Sequence, residues 1–215
     1  MNSDLLSTLE VSRPAALIRD LGLVAYEPAW RAMQEFTARR GADTPDELWV
    51  VQHPPVYTLG IAGEAEHLPR ADNGIPVVKI DRGGQITYHG PGQVVIYLLL
   101  DMRRRGLTVR PLVRLMERAV INLLAEHGVA AQGRVAAPGV YVGEAKIAAL
   151  GLRIKNGCCY HGLALNVDMD LSPFHAINPC GYPGLEVTQM RDLGIGDTPQ
   201  LAGTKLVQHL LRVLQ

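Results

Sequence analysis

The 215-residue chain lacks any surplus of charge: 21 lysines and arginines are matched by 21 aspartates and glutamates. Such balance leaves no electrostatic footprint for nucleic acid and no basic face for a membrane surface. Long apolar runs are missing too, although 47% of the residues are hydrophobic; none approaches the ~20 residues that span a bilayer. The opening MNSDLLSTLEVSRP has no basic stretch followed by an apolar one, so no secretory signal is expected. Cysteine is scarce, with Cys158, Cys159 and Cys180 alone. An odd, sparse set without a signal predicts a reducing, cytoplasmic compartment. There is no C-x-x-C and no H-E-x-x-H, and Cys158-Cys159 with His161 falls short of the four ligands, or three plus water, of a zinc site. No repeat, low-complexity segment or linker is present. Residues 1–215 are therefore expected to form one domain with a sizeable core. The run Arg103-Arg104-Arg105 reads as a solvated loop.

What is present is glycine in one unusual stretch, Arg82–Gln93, RGGQITYHGPGQ. Gly83 and Gly84 permit positive φ and close approach of a ligand to the backbone. Gly90-Pro91-Gly92 is a tight turn, with φ fixed at the proline and free on either side. The stretch lies between Ile75–Ile80 and Val94–Leu100, which read as buried strands. A polar, glycine-rich loop between core strands reads either as a pocket wall or as a long flexible connection.

Elsewhere the periodicities are plain. Residues 1–22 read as an extended lead-in or short strand. Trp30, Met33, Phe36 and Thr37 fall on one face of a helix over Ala25–Arg40, which Gly41 ends. Leu48–Gln52 and Val56–Leu59 read as strands interrupted by His53-Pro54-Pro55, which has too few backbone donors to sit mid-sheet; His53 reads as a strand-end residue. Residues 61–74 read as loop. Val109, Leu112, Val113, Met116, Val120, Leu123 and Leu124 form a helical stripe capped by Thr108 and closed by His127-Gly128. Gly139–Val142, Lys146–Ile154 and Tyr160–Val167 read as strands, the last two joined as a hairpin by Lys155-Asn156-Gly157. Asp170–Ile177 reads as a short helix, Asn178–Gly184 as a rigid turn, and Thr198–Leu214 as an amphipathic helix. Asn166 and Asp168 read as turn formers, and Cys158 and Cys159 as core or edge residues. The tripeptide YHG occurs at both 88–90 and 160–162, either by chance or because both segments feed one pocket.

Two residues stand out for chemistry. Cys180, in N-P-C-G-Y-P-G, is either a nucleophile or a small apolar filler. As a nucleophile it would have the backbone N–H groups of Cys180 and Gly181 near a developing oxyanion, and it would need a base. His89, His161 and His175 are candidates, as is Lys146 at the edge of the apolar strand Ile147–Leu152, where desolvation favours a neutral amine. The alternative for Lys146 is a strand-end lysine reaching into water.

The segments RGGQITYHGPGQ (82–93), KIAALGLRI (146–154), HGLALNV (161–167) and NPCG (178–181), with Tyr26…Trp30…Met33, HPPVYTLG (53–60) and Val187-Thr188, occur in one order along residues 20–195. In this the chain resembles the lipoyl(octanoyl) transferases, octanoyl-acyl-carrier-protein:protein N-octanoyltransferases. Leu98, where the family pattern has proline, is a minor departure. The resemblance implies an α/β fold of α+β type: one domain with a mixed, largely antiparallel sheet and flanking helices, as in biotin and lipoate protein ligases. It implies Cys180 as the acyl-carrying nucleophile and Lys146 as the base. It also implies substrate binding by Arg82, Gly83, Gly84, Gln85, Ile86, Thr87, Tyr88 and His89, by Ala149, Leu150 and Gly151, and by Gly162, Leu163 and Ala164. His89 takes a supporting role near the reacting centre. The strands at Ala148–Leu152 and Leu163–Leu165 would line a tunnel for the eight-carbon chain. The implied donor is octanoyl-acyl carrier protein. The acceptors are lipoyl domains of 2-oxoacid dehydrogenase E2 subunits and the glycine cleavage H protein. The implied enzyme is a monomer and uses no cofactor, ATP or metal. Three rivals are an ATP-dependent ligase on the same fold, a catalytically dead binding module and a thiol hydrolase. Cys180 in NPCG and the absence of a P-loop-like phosphate motif speak against the first, and intact Lys146 and Cys180 against the second; the acyl acceptor, water or amine, separates the third.

Overall fold

The computed structural model describes residues 16–70, 72–178 and 184–215. Seven strands form the main sheet in the order β1-β2-β6-β10-β9-β8-β7. They are β1 (Leu17–Leu23), β2 (Glu47–Gln52), β6 (Gln93–Asp101), β7 (Gln132–Gly133), β8 (Gly139–Val142), β9 (Ala145–Lys155) and β10 (Cys158–Asn166). β1 runs parallel to β2 and the remaining neighbours are antiparallel. A smaller sheet, ordered β4-β3-β5, holds β3 (Val56–Leu59), β4 (Val77–Lys79) and β5 (Ile86–His89). The expected mixed, largely antiparallel architecture is thus the one observed.

The central strand β6 is apolar without alternation because both its faces are covered. Val94, Ile96, Leu98 and Leu100 pack under α2 (Val109–Ala125) and α3 (Pro199–Val213), against Leu112, Met116, Leu123, Leu206 and Leu210. Val95, Tyr97 and Leu99 face α1 (Tyr26–Arg39), whose Ala29 and Met33 meet Trp49, Tyr160 and Ala164. The β9–β10 hairpin turns where expected, with Asn156 at φ 52° and Gly157 at φ 79°, the pair of positive values that a type I′ turn requires. Thr198 caps α3, its hydroxyl accepting from the Leu201 N–H. Thr108 occupies the corresponding place on α2 without such a bond, and Val109 is exposed while Ala119 joins the buried stripe.

Two expectations are corrected, and the short helix expected over Asp170–Ile177 is narrowed. Ile75–Ile80 is not a buried strand: only Val77–Lys79 pairs, as an edge strand with Val77 and Lys79 exposed. The glycine-rich stretch is not one loop, because Ile86–His89 is β5, paired antiparallel to β3. Asp170–Ile177 holds a 3-10 turn at Ser172–Ala176. A further correction concerns Arg103-Arg104-Arg105. Arg105 is buried at 5% exposure, and Arg104 and Arg105 join Arg40 on the buried carboxylate of Asp46, at 2.8, 2.5 and 2.5 Å. Among the described residues no helix is long and apolar enough to cross a membrane, and no cluster of three His, Cys, Asp or Glu could hold a metal ion.

Candidate active site

On the α1 face of β9 and β10 lies a pocket of about 510 Å³ of empty space, its open mouth included. Its floor is possible because Gly151 and Gly162 are paired across the two strands. A Cβ at Gly151 would stand 2.9 Å from Arg82 Cδ and 3.2 Å from the Gly83 carbonyl oxygen. Without one, residues 82–85 settle over β9, the Gly83 N–H donating to the Leu152 carbonyl at 3.0 Å. Three backbone bonds tie the same loop to residues 60–62: Gly60 N–H to Gln85 O, Ile61 N–H to Arg82 O and Ala62 N–H to Gly84 O, at 2.8, 3.0 and 3.2 Å. Gly84 takes φ +89°, a value open chiefly to glycine. The lid of the pocket is therefore a braced turn.

Polar groups run from this lid towards Lys146 in a continuous series. The Arg82 guanidinium donates to the Thr58 carbonyl and hydroxyl at 2.7 and 2.9 Å. The Thr58 hydroxyl lies 3.3 Å from His89 Nε2, and His89 Nδ1 lies 2.7 Å from Gln93 Oε1. An amide oxygen only accepts, so Nδ1 carries the proton and Nε2 accepts from Thr58. The Gln93 amide donates to Asn166 Oδ1 at 2.9 Å, and the Asn166 amide donates to the Thr188 carbonyl at 2.9 Å. The Thr188 N–H in turn donates to the Lys146 carbonyl at 3.0 Å. Asn166, expected as a turn former, is a buried bridge between the lid and the segment beside Lys146. Burial first, and then the charge that would arise on His53, pushes the His89 pKa down to about 3. His89 is thus a neutral orienting group with both ring nitrogens engaged. His53 is similar: Nδ1 donates to the Val24 carbonyl at 2.7 Å, Nε2 accepts from the Tyr97 hydroxyl at 2.6 Å, and burial brings its pKa down to about 4.

Lys146 is 3% exposed. Its Nζ donates to the Pro138 carbonyl at 3.2 Å and stands 5.3 Å from the centre of the Tyr141 ring. Gly139, at φ +152°, makes room for it; a Cβ there would lie 2.6 Å from Lys146 Cε. Residues 186–188 lie alongside: the Lys146 N–H donates to the Glu186 carbonyl at 2.8 Å, and Lys146 forms a parallel bridge with Val187. The strand-end lysine reaching into water is excluded.

At the opposite end stands a group that sequence reasoning missed. The Asp81 carboxylate receives Trp30 Nε1 at 2.8 Å, Gln34 Nε2 at 3.1 Å, His161 Nε2 at 2.9 Å and the Tyr160 hydroxyl. Burial works to raise its pKa, but the four donors, led by His161, outweigh burial and hold it far below the usual carboxylate range. The partners lie 47–80 residues away, so nothing local to Asp81 announces them. His161 itself has φ +63° inside β10, a region rarely taken by a residue with a side chain.

Of the expected binding residues, Arg82, Gly84, Gln85, Ile86, Thr87, His89, Ala149, Leu150, Gly151, Gly162, Leu163 and Ala164 line the pocket, joined by Tyr26, Val95, Tyr97 and His161. Gly83 contributes backbone to the lid, and Tyr88 turns away to pack with Tyr57 and Phe174. Ala148 and Leu165, expected along the tunnel, belong to the core beneath α2 and α3. His175 is exposed. Cys159 is buried, with burial raising its thiol to about 12. Cys180 and most of the expected turn at Asn178–Gly184 lie outside the described residues.

The family model that describes the lipoyl protein ligase A/B catalytic domain matches residues 25–211. Proteins named octanoyltransferase from Azoarcus sp. and Dechloromonas aromatica are each 66% identical over 198 residues; the match spans 92% of this chain in both cases, and 87% and 96% of the relatives. Among solved structures, a putative lipoate protein ligase from T. acidophilum with bound lipoic acid superposes at a TM-score of 0.76 with 19% identity, covering 94% of this chain and 86% of that one. A biotin protein ligase from Aquifex aeolicus gives 0.56 with 11% identity, covering 94% and 70%. These distant structures share the fold, while the two octanoyltransferases share two-thirds of the aligned sequence. The chain therefore belongs to the octanoyltransferase family, acyltransferases built on the lipoyl protein ligase A/B catalytic domain.

Proposed function

We propose that the chain, as a single domain over residues 1–215, moves an octanoyl group from octanoyl-acyl carrier protein to the target lysine of a lipoyl domain, through a thioester on Cys180. The observation that carries this reading is Lys146. It is a buried lysine with its backbone bonded on both sides to residues 186–188, the segment reached a few residues after Cys180. It lies on the same strand as the pocket floor. Burial disfavours the ammonium form of an amine, and a neutral amine accepts a proton.

Lys146 takes the Cys180 proton, and the thiolate attacks the acyl carbonyl. The bond to the pantetheine sulfur breaks, and the carrier leaves as a thiol after taking up a proton. The amine of the lipoyl-domain lysine then attacks the Cys180 thioester. The C–S bond breaks, the amine gives up a proton, and an N-octanoyl amide forms with the cysteine regenerated. His89, Thr58, Gln93 and Asn166 act by position, bracing the lid against the Lys146 segment. The reaction calls for no ATP, metal or cofactor. The acceptors we expect are lipoyl domains of 2-oxoacid dehydrogenase E2 subunits and the glycine cleavage H protein. The working form is a cytoplasmic monomer.

The test is transfer without nucleotide. Purified chain, octanoyl-acyl carrier protein and a lipoyl domain are mixed with no ATP, and the mass of the lipoyl domain is followed. A gain of one octanoyl group is expected. Lys146→Met is expected to lower the rate at least ~100-fold, the range for losing a positioned base. Transfer seen only with free octanoate plus ATP would overturn the reading, as would a Lys146→Met rate equal to that of the parent.

A further inference from the structure

His161 carries an unassigned piece of chemistry. Its ring is 2% exposed and lines the pocket. In a regular strand, neighbouring side chains point to opposite faces. The left-handed backbone at His161, φ +63°, breaks that alternation. It turns the imidazole to the face of Tyr160, with the two rings stacked at 5.0 Å and both bonded to Asp81. Asp81 is held as a carboxylate and can only accept. Nε2 of His161 therefore carries the proton it donates at 2.9 Å. That leaves Nδ1 of the neutral ring as a bare acceptor, and it is buried with no hydrogen-bond partner. A buried acceptor fixed in one tautomer, on a strained residue facing a cavity, is built to meet a donor.

Which part of a ligand would bring that donor follows from the strand register, on the reading that the acyl carbon reacts near Lys146. His161 pairs across the sheet with Leu152. Leu152 is six residues from Lys146 along β9, about 20 Å at the usual strand rise. Ala149, Leu150 and Gly151 line the pocket between them. A chain whose carbonyl lies at the Lys146 end presents its tail, not its carrier arm, to His161.

We propose that His161, oriented by Asp81, recognises a hydroxyl on the tail of the acyl chain, so that the pocket takes ω-hydroxyacyl groups as a substrate class beside the plain chain. Asp81 is the positioning residue and His161 the specificity residue.

Three acyl-carrier-protein thioesters decide it: octanoyl, nonanoyl and 8-hydroxyoctanoyl. The last two match in length and differ only in a terminal methyl against a hydroxyl. A site that hydrogen-bonds a hydroxyl discriminates against the analogue lacking it. The expected kcat/KM ratio of 8-hydroxyoctanoyl to nonanoyl is about 10 or more. In His161→Phe, whatever its absolute rate, the ratio is expected to fall below one. Asp81→Asn, which frees the ring to place its proton on Nδ1, is expected to lower the same ratio. A parent ratio at or below one overturns the proposal, and so does a ratio that His161→Phe leaves unchanged. Calorimetric binding of the free 8-hydroxyoctanoic and nonanoic acids gives the same comparison without turnover. If octanoyl transfer itself fails, the functional reading falls, while the binding ratio still decides the role of His161.

Discussion

Two carboxylates, the buried Asp46 and the partly buried Asp81, are held ionised in opposite ways. Asp46 is surrounded by charge: Arg40, Arg104 and Arg105 donate to it, and the Asp101 N–H adds a fourth bond. Burial works to raise its pKa, but these partners hold it below the ordinary value. All three arginines also reach main-chain oxygens far apart in the chain, Arg40 to Leu99, Arg104 to Ala42 and Arg105 to Leu214. Asp46 is thus a structural knot tying α1, the end of β6 and the end of α3. Asp81 is held by an indole, an amide, a phenol and an imidazole, with no lysine or arginine donating to it among the described residues. Such a carboxylate does little to tie the fold and much to aim its partners. One of them, His161, lines the pocket.

The largest effect expected from this contrast is on stability at Asp46. Asp46→Ala leaves three guanidinium groups competing for main-chain oxygens. It is expected to cost about 3–5 kcal/mol, the range for removing one partner of a buried ion pair. Denaturant unfolding measures the loss, and transfer rate per folded molecule is expected to stay unchanged, since Asp46 touches nothing in the pocket. A loss below 1 kcal/mol would remove the distinction between the two carboxylates.

Acid sharpens it next. His53 and His89 are neutral and buried, with folded values of about 4 and 3 against about 6.5 unfolded. Below pH 6.5 the unfolded chain therefore binds protons that the folded chain refuses. Stability is complete above that pH and is lost as the pH falls towards 4 and then 3, each histidine contributing a slope approaching 1.4 kcal/mol per pH unit, an order-of-magnitude figure. Asp46, with its depressed folded value, adds loss only below about pH 4. Unfolding free energies between pH 7 and pH 4 test this, and His53→Gln is expected to flatten the slope by about one histidine. A stability independent of pH across that window would contradict the neutral, buried assignment.

Asp81→Asn is expected to cost about 1–2 kcal/mol, because an amide retains an acceptor oxygen for some of the four donors. Its signature is a changed preference among acyl chains at modest cost in stability. Gly151→Ala has the smallest expected cost, about 1 kcal/mol, the low end of the range for overpacking. The added methyl meets the Arg82 stem and the Gly83 carbonyl at 2.9 and 3.2 Å, so the braced lid must shift to admit it. The lid lifts, so KM is expected to rise several-fold with kcat little changed. An unchanged KM would mean that the lid is not seated on β9 during turnover.

Much of this could be read before any coordinates. Period 3.6 located α2 and α3, and Asn156-Gly157 located the β9–β10 hairpin, because those signals are local and strong. The glycine-rich stretch pointed correctly to the pocket wall, since glycine reports where backbones must approach. That same glycine content hid β5, a four-residue strand flanked by turn residues. The apolar run Ile75–Ile80 promised burial that an edge position does not provide. Asp81 was invisible for another reason. An aspartate between a strand and a glycine turn looks like an ordinary turn former, and its donors come from α1 and β10. Asn166 and Arg105 were misread likewise as turn and solvent residues, since only the folded chain brings their partners to them.

The account centres on a covalent acyl-cysteine, and intact-protein mass reads it most directly. The chain is incubated with octanoyl-acyl carrier protein and no ATP, quenched in acid, weighed, and then mapped by peptide. The expected result is a gain of one octanoyl group on the peptide containing Cys180. The adduct should be absent from Cys180→Ala and should discharge when a lipoyl domain is added. No adduct under conditions where transfer proceeds, or an equal adduct on Cys180→Ala, would contradict the account.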